Sequence, residues 1–242
     1  MRSHVGLLLA GLWSLPSPVI YARPDANVSS LAAARTTLRP GRHVDAVRGR
    51  VEILEKGGAT KDLDGTIVWL EGDGLGAAQP QRLEIAMGDK TFRPGIVLAP
   101  VGSTVSFPNE DDFDHNVFSR SEAKPFDLGL YGRGIAKGVT LERPGLLNVY
   151  CNVHARMAAV VLAHASPFAS RADATGRFQF DNVPTGRYTL RAWHERGGDQ
   201  SLQLTVPGPD SLVVVRLDAR SYRFVQHLDK TGKRYDTRGR RY

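Results

Sequence analysis

The sequence predicts an all-β protein, and three observations point there. Short stretches rich in β-branched and aromatic residues recur along the chain, Gly, Pro, Asp or Asn separates them, and no window shows a long apolar stripe of helical period. At 242 residues with 41% hydrophobic and 24% charged content, the chain has the make-up of a core-forming protein, not of a disordered or collagen-like one. Many short strands at such spacing favour antiparallel sandwiches.

In chain order, residues 1–22 read as a secretory signal. Arg2 precedes an apolar run from Val5 to Leu15, then Pro16, Pro18 and a small-residue site at Tyr21-Ala22. The apolar run is too short to span a bilayer. Residues 23–46 are polar, without period, and read as a linker. Strands are expected at 47–54, 66–70, 82–86, 96–99, 104–107, 138–141, 146–151, 158–163, 177–180, 188–193, 201–206 and 212–217. Asp173-Ala174-Thr175-Gly176-Arg177 reads as a hairpin loop, and Pro184-Thr185-Gly186 as a turn feeding a strand.

The formal charge of +7 is local. Residues 219–242 hold eight Lys/Arg against two Asp, which leaves 24 basic and 23 acidic residues in the rest. The tail is expected to be a mobile, solvated terminus that could dock an acidic redox partner or anionic lipid headgroups, both ahead of nucleic acid for an exported chain.

Cys151 is the single cysteine, so no disulfide can form within the chain. In an oxidising compartment a lone thiol should be shielded or employed. Cys151-Asn152-Val153-His154-Ala155-Arg156-Met157 spaces thiolate, imidazole and thioether three residues apart, a rare coincidence with seven His and three Met in the chain. Asp114-His115-Asn116 offers a second imidazole. Two imidazoles and a thiolate in a near-trigonal plane, with a weak axial Met, make up the electron-transfer copper site. A buried thiol beside a core His and Met is the alternative. Phe107, Phe113 and Phe118 are candidates for the apolar shell around such a site. The run Glu110-Asp111-Asp112-Phe113-Asp114 lacks the Gly and periodicity of a calcium loop and reads as a solvated turn. His164 and His194 have no paired spacing and read as structural.

On these residues, with Val101-Gly102-Ser103-Thr104-Val105-Ser106-Phe107 and Asn109, segment 82–164 resembles cupredoxins, the plastocyanin and amicyanin type of blue-copper protein. The resemblance implies a Greek-key β-sandwich holding one type 1 copper ion through His115, Cys151, His154 and axial Met157, with His154 as electron port. It also implies that Asn116 hydrogen-bonds across to the ligand loop. One departure stands out, because Ala155-Arg156 follows His154 where amicyanin-type loops carry Pro. Arg156 would set a positive charge beside the metal, favouring the reduced ion and an anionic docking face.

Segment 166–218 resembles the carboxypeptidase regulatory-like, transthyretin-like sandwich, on Asp173-Ala174-Thr175-Gly176-Arg177-Phe178, Asn182-Val183-Pro184-Thr185-Gly186-Arg187-Tyr188 and Trp193-His194-Glu195. Residues 47–75 look like its missing opening, so this smaller sandwich is expected to be discontinuous. No acid/base carboxylate pair, nucleophile elbow or phosphate-cradling loop is present, so no enzymatic activity is expected. The expected function is an exported, periplasmic carrier of single electrons between redox proteins. The alternatives are a copper-handling protein without electron transfer and a cell-envelope scaffold.

Overall fold

A computed structural model describes residues 44–57, 62–208 and 212–235. The signal at 1–22 and the linker as far as residue 43 lie outside the described residues. The linker's last three residues already belong to the first strand.

Among the described residues the chain forms seventeen strands. They are β1 (Val44–Leu54), β2 (Ile67–Glu71), β3 (Arg82–Glu84), β4 (Ala86–Gly88), β5 (Thr91–Arg93) and β6 (Ile96–Pro100). Next come β7 (Thr104–Pro108), β8 (His115–Ser119), β9 (Phe126–Tyr131), β10 (Ala136–Thr140), β11 (Gly145–Cys151) and β12 (Ala158–His164). The last are β13 (Ala169–Arg171), β14 (Arg177–Pro184), β15 (Gly186–His194), β16 (Gly198–Val206) and β17 (Val213–Asp218). A single 3-10 turn, Leu63–Gly65, precedes β2. The protein is therefore all-β.

Two sheets, ordered β14-β1-β17 and β13-β2-β15-β16, face each other over a core drawn from both ends of the described chain. Val47, Val51 and Ile53 alternate along β1 and meet Val68 and Leu70 of β2, Phe178 and Phe180 of β14, and Leu190 of β15. This is the period-2 burial that a one-faced strand requires. Gly49, the remaining inward position of β1, is demanded by its neighbour: a Cβ there would lie 2.1 Å from the Phe178 ring.

A second core is built from the stretch between. The five-stranded sheet β6-β12-β11-β8-β9 faces the sheet β10-β7-β3 across Val105, Phe107, Val117, Val149, Val161 and their neighbours. Not every pairing is antiparallel, as the sequence had suggested. β1 with β17, β12 with β6 and β3 with β7 run parallel. Those partners are distant in sequence, so no hairpin connects them and their direction follows from how the layers close.

The two sandwiches share a third, smaller core. β2 is buried on both faces, sending Val68 and Leu70 inward and Ile67 and Trp69 outward. The outward pair packs with Leu162 of β12, together with half-buried Ile96, Leu98, Val160 and Trp193. The solvent-side faces of two sheets are thereby turned into an interface, which explains why β2 reads as a continuous apolar run rather than an alternating one.

The sequence passed over β5, β8, β9 and β13. β8 is buried at all five positions, His-Asn-Val-Phe-Ser, and so has no alternation to detect. The tail differs most from expectation. Residues 219–235 form no strand, but from Gln226 onward they are tied by hydrogen bonds and ring contacts to the second sandwich.

Candidate metal centre

Three loops and strand ends meet at one end of the second sandwich. β8 and β11 are antiparallel neighbours with Val117 opposite Cys151, which brings His115 at the start of β8 towards the end of β11. The chain then turns through 152–157 and returns as β12. Two backbone hydrogen bonds close that loop, from the Cys151 N–H to the Met157 carbonyl at 3.1 Å and from the Met157 N–H to the His154 carbonyl at 3.0 Å.

The donor atoms of His115, Cys151 and His154 all lie within 4.8 Å of one another, and among the described residues no other such group occurs. The Cys151 Sγ is 3.5 Å from His115 Nδ1 and 3.7 Å from His154 Nδ1, and the two nitrogens are 3.2 Å apart. A triangle of those sides has its centre about 2 Å from each corner, which is a metal–imidazole bond length. Two imidazole nitrogens and a sulfur therefore surround a point where a soft ion fits. The donor chemistry suits copper.

Met157 is buried in the core at the end of the ligand loop. Phe113 is 39% exposed, and its ring meets the edges of His115 at 5.3 Å and His154 at 5.4 Å, with the Lys90 ammonium 5.2 Å above it. It thus caps both imidazoles on the open side. Phe107 and Phe118 lie deeper, Phe107 against Phe92 and Phe126 and Phe118 against Tyr150. Arg156 is exposed on the loop.

Glu110, Asp112 and Asp114 of the acidic run are exposed, as in a solvated turn, but Asp111 points inward. Its carboxylate accepts hydrogen bonds from the N–H groups of Asp89 at 2.7 Å and Lys90 at 3.0 Å, and its Oδ2 lies 2.8 Å from His115 Nε2. With Nε2 donating to this carboxylate, the neutral His115 ring turns the lone pair of Nδ1 towards the cluster. A carboxylate behind an imidazole fixes its tautomer and orientation, as ligand histidines generally require. The four-residue spacing from Asp111 to His115 was the signal available in the sequence.

Asn109 also went unassigned. Its Nδ2 donates to the carbonyls of Phe113 and Tyr131, and its Oδ1 accepts from the Asp111 N–H, so it pins the whole 109–115 loop. Asn116 does bridge to the ligand loop, but through its backbone. Its carbonyl accepts from the Asn152 N–H at 2.8 Å, and its N–H bonds the Cys151 sulfur. The Asn116 side chain turns away to Asp127, at 2.6 Å.

Burial works to raise the Cys151 thiol, but hydrogen bonds from His115 and from the backbone N–H groups of Asn116, Val153 and His154 outweigh it. The thiol therefore lies below its usual value, on the side of the thiolate that binds metal. Burial opposes charge on His115 as well and is overcome by hydrogen bonds to Cys151 and Asp111, so this imidazole sits above its ordinary value. Burial, followed by the charges of His115 and Lys90, pushes His154 down to about 4. His154 is thus neutral, the ligand form, at neutral pH.

His164 and His194 are held by backbone instead. His164 Nδ1 is 2.7 Å from the Ser166 carbonyl, and His194 lies between the Asp62 carbonyl and the Arg196 N–H, both at 3.2 Å.

No family model matches the sequence, and no curated protein matches it. Among solved structures, the chain is similar to a purple cupredoxin from Nitrosopumilus maritimus, with 23% identity over 34% of this chain and 99% of that one and a TM-score of 0.31. It is also similar to amicyanin variants, one at 19% identity over 34% of this chain and 82% of that one, TM-score 0.32. A Cu-containing nitrite reductase from Thermus scotoductus aligns at 22% identity over 47% of this chain and 28% of that enzyme, TM-score 0.34. These likenesses cover about a third to a half of this chain, and the functional reading that follows rests on the donor set itself.

Proposed function

We propose that the protein binds one copper ion through His115, Cys151 and His154, with Met157 as a weak fourth donor, and carries single electrons between redox proteins. The observation that carries this reading is the convergence of one thiol and two imidazole nitrogens, wholly or largely buried, on a single point. Bound copper would supply a one-electron couple.

The chain's own residues do the remaining work. Asp111 holds His115 in the tautomer that presents Nδ1. The backbone N–H groups of Asn116 and Val153 point at the Cys151 sulfur and stabilise its negative charge. A donor set held by two strands and a short, hydrogen-bonded loop needs little rearrangement when the charge at its centre changes. Phe113 limits water on the open side, and His154 beside it is the half-exposed edge through which a partner would exchange electrons.

The reading includes export of the mature chain from the leader at 1–22, no enzymatic turnover, and the first, regulatory-like sandwich acting as the platform for the metal-bearing second one. Its support is the shared apolar core of Ile67, Trp69 and Leu162, which couples the two.

The test is to load the mature chain with Cu(II) and compare its visible and electron-paramagnetic spectra with those of Cys151→Ser. An intense thiolate-to-copper band with narrow hyperfine splitting, absent in the variant, is expected. A colourless protein holding only Cu(I) would replace electron transfer with copper handling.

A further inference from the structure

The ligand loop 152–157 contains no proline, and two backbone hydrogen bonds are what close it on itself. Four residues in and around it are instead gripped from outside by a segment more than seventy positions away in sequence. The Tyr235 hydroxyl donates to the Cys151 carbonyl at 2.8 Å. The Lys230 N–H donates to Asn152 Oδ1 at 2.8 Å, and Gln226 Nε2 donates to the Ala155 carbonyl at 3.4 Å. His227 stacks flat on Tyr150, ring centres 4.1 Å apart and planes 18° apart, and its own ring is met edge-on by Tyr235 at 5.2 Å.

The same segment reaches β9, the neighbour of β8, which bears the other ligand. Lys230 Nζ is 2.7 Å from Asp127 Oδ2, while Asp127 Oδ1 accepts from Asn116, the neighbour of His115. The grip thus touches the strand and loop that supply Cys151 and His154, and through Asp127 it is linked to the strand that supplies His115.

The segment is itself ordered by a compact turn. Asp229 Oδ1 accepts from the Thr231 N–H, the Thr231 hydroxyl and the Lys233 N–H at 2.8–2.9 Å, and Gly232 takes a left-handed φ of +84°. Asp229-Lys230-Thr231-Gly232-Lys233 repeats the pattern Asp173-Ala174-Thr175-Gly176-Arg177, which forms the same turn before β14, with Gly176 at φ +78°. Bonds of this kind in a solvated tail imply a specific conformation, because ordering long side chains and backbone against water opposes them.

We propose that Gln226–Tyr235 is a strap that positions the ligand loop, making the C-terminal tail a structural part of the metal centre. Tyr235 and Lys230 are its main positioning residues, Tyr235 holding the Cys151 carbonyl and Lys230 the side chain of Asn152 next to it. The strap supplies from outside the chain stiffness that Ala155-Arg156 does not supply from within. The effect on metal retention rests on the copper reading, whereas the effect on the loop does not.

Three chains test it: full length, Tyr235→Phe, and one ending at Val225. Amide hydrogen exchange of 150–157 is measured in the metal-free proteins, and Cu(I) withdrawal by bathocuproine disulfonate in the loaded ones. The chain ending at Val225 should exchange the loop amides and lose Cu(I) about ten-fold faster, with exchange across 177–206 unchanged, and Tyr235→Phe should shift both roughly five-fold, the scale of one net hydrogen bond. A synthetic peptide of residues 224–242 should restore slow exchange to the truncated chain. Loop exchange equal to that of the full-length protein in both variants would overturn the strap. Failure of every chain to take up copper would sink the copper reading and leave the exchange result to decide. If the truncated chain does not fold, Tyr235→Phe decides by itself.

Discussion

The two sandwiches fill their interiors differently. The first packs hydrocarbon and rings, Val68, Leu70, Phe178, Phe180 and Leu190, and its large buried polar residues are met by backbone, the Tyr188 hydroxyl by the Pro184 carbonyl at 2.9 Å and His194 by the Asp62 carbonyl at 3.2 Å. The second encloses Cys151 and Met157 within its core and buries His115, Asn109 and Asn116 at one end. A buried polar group without a partner is costly. Most polar atoms at that end are partnered, and the few that could bind a metal converge. The contrast shows how two layered β-sheets can enclose an almost wholly apolar core in one sandwich and gather a cluster of donor atoms in the other.

Breaking a core should affect stability in both sandwiches and metal binding in only one. Leu190→Ala and Phe107→Ala are each expected to lower unfolding free energy by about 3–5 kcal/mol, measured by denaturant titration. Leu190→Ala should nonetheless retain copper colour when folded, whereas Phe107→Ala, in the core that contains Cys151, should broaden or weaken it. Equal spectral damage from both would erase the distinction drawn between the sandwiches.

Asp111→Asn probes the polar end directly. Loss of the carboxylate behind His115 should weaken copper affinity by about 10–100-fold in a competition titration, and it should also lower the urea midpoint, because the amide cannot accept from the Asp89 and Lys90 N–H groups and from His115 together. An unchanged affinity would remove Asp111 from the site.

A pH comparison sharpens the picture in the metal-free protein. Burial, the largest influence in each case, holds His194 in the first sandwich and His164 near the junction below the ordinary value of 6.5. A histidine lowered by folding stays neutral in the native state while the unfolded chain takes up its proton, so stability falls as pH drops through 6.5 towards the lowered value. Urea midpoints between pH 7.5 and pH 5 should therefore shift less in His194→Gln than in wild type. The same shift in both would show that His194 does not contribute.

The smallest effect is expected at the surface. Glu142→Ala removes the exposed ion pair with Lys124, 2.9 Å long, and should leave the midpoint where it was.

Much of the site could be read before folding was considered, because Cys151, His154 and Met157 lie in one short loop and their spacing is itself the signal. His115 could be chosen only as a nearby imidazole, and Asp111 was read as solvated because an acidic run ordinarily is. Its inward turn depends on the N–H groups of Asp89 and Lys90, about twenty residues upstream. The described part of the tail, as far as residue 235, is mostly exposed as expected but is tied down rather than free, for the same reason. Its charge suggested a solvated terminus, and although the Asp-x-Thr-Gly turn at 229–232 was legible, its docking surface was not.

By itself, then, the sequence determined the β architecture, through alternation and turn residues, and the chemical nature of the donors, through a local motif. Tertiary structure alone decided which imidazole meets the thiol, which carboxylate orients it, how β2 and β12 join the sandwiches, and where the tail lies. Spacing along a chain encodes contacts within one strand or loop, whereas contacts between distant segments form only when the cores of the two sandwiches close and bring them together.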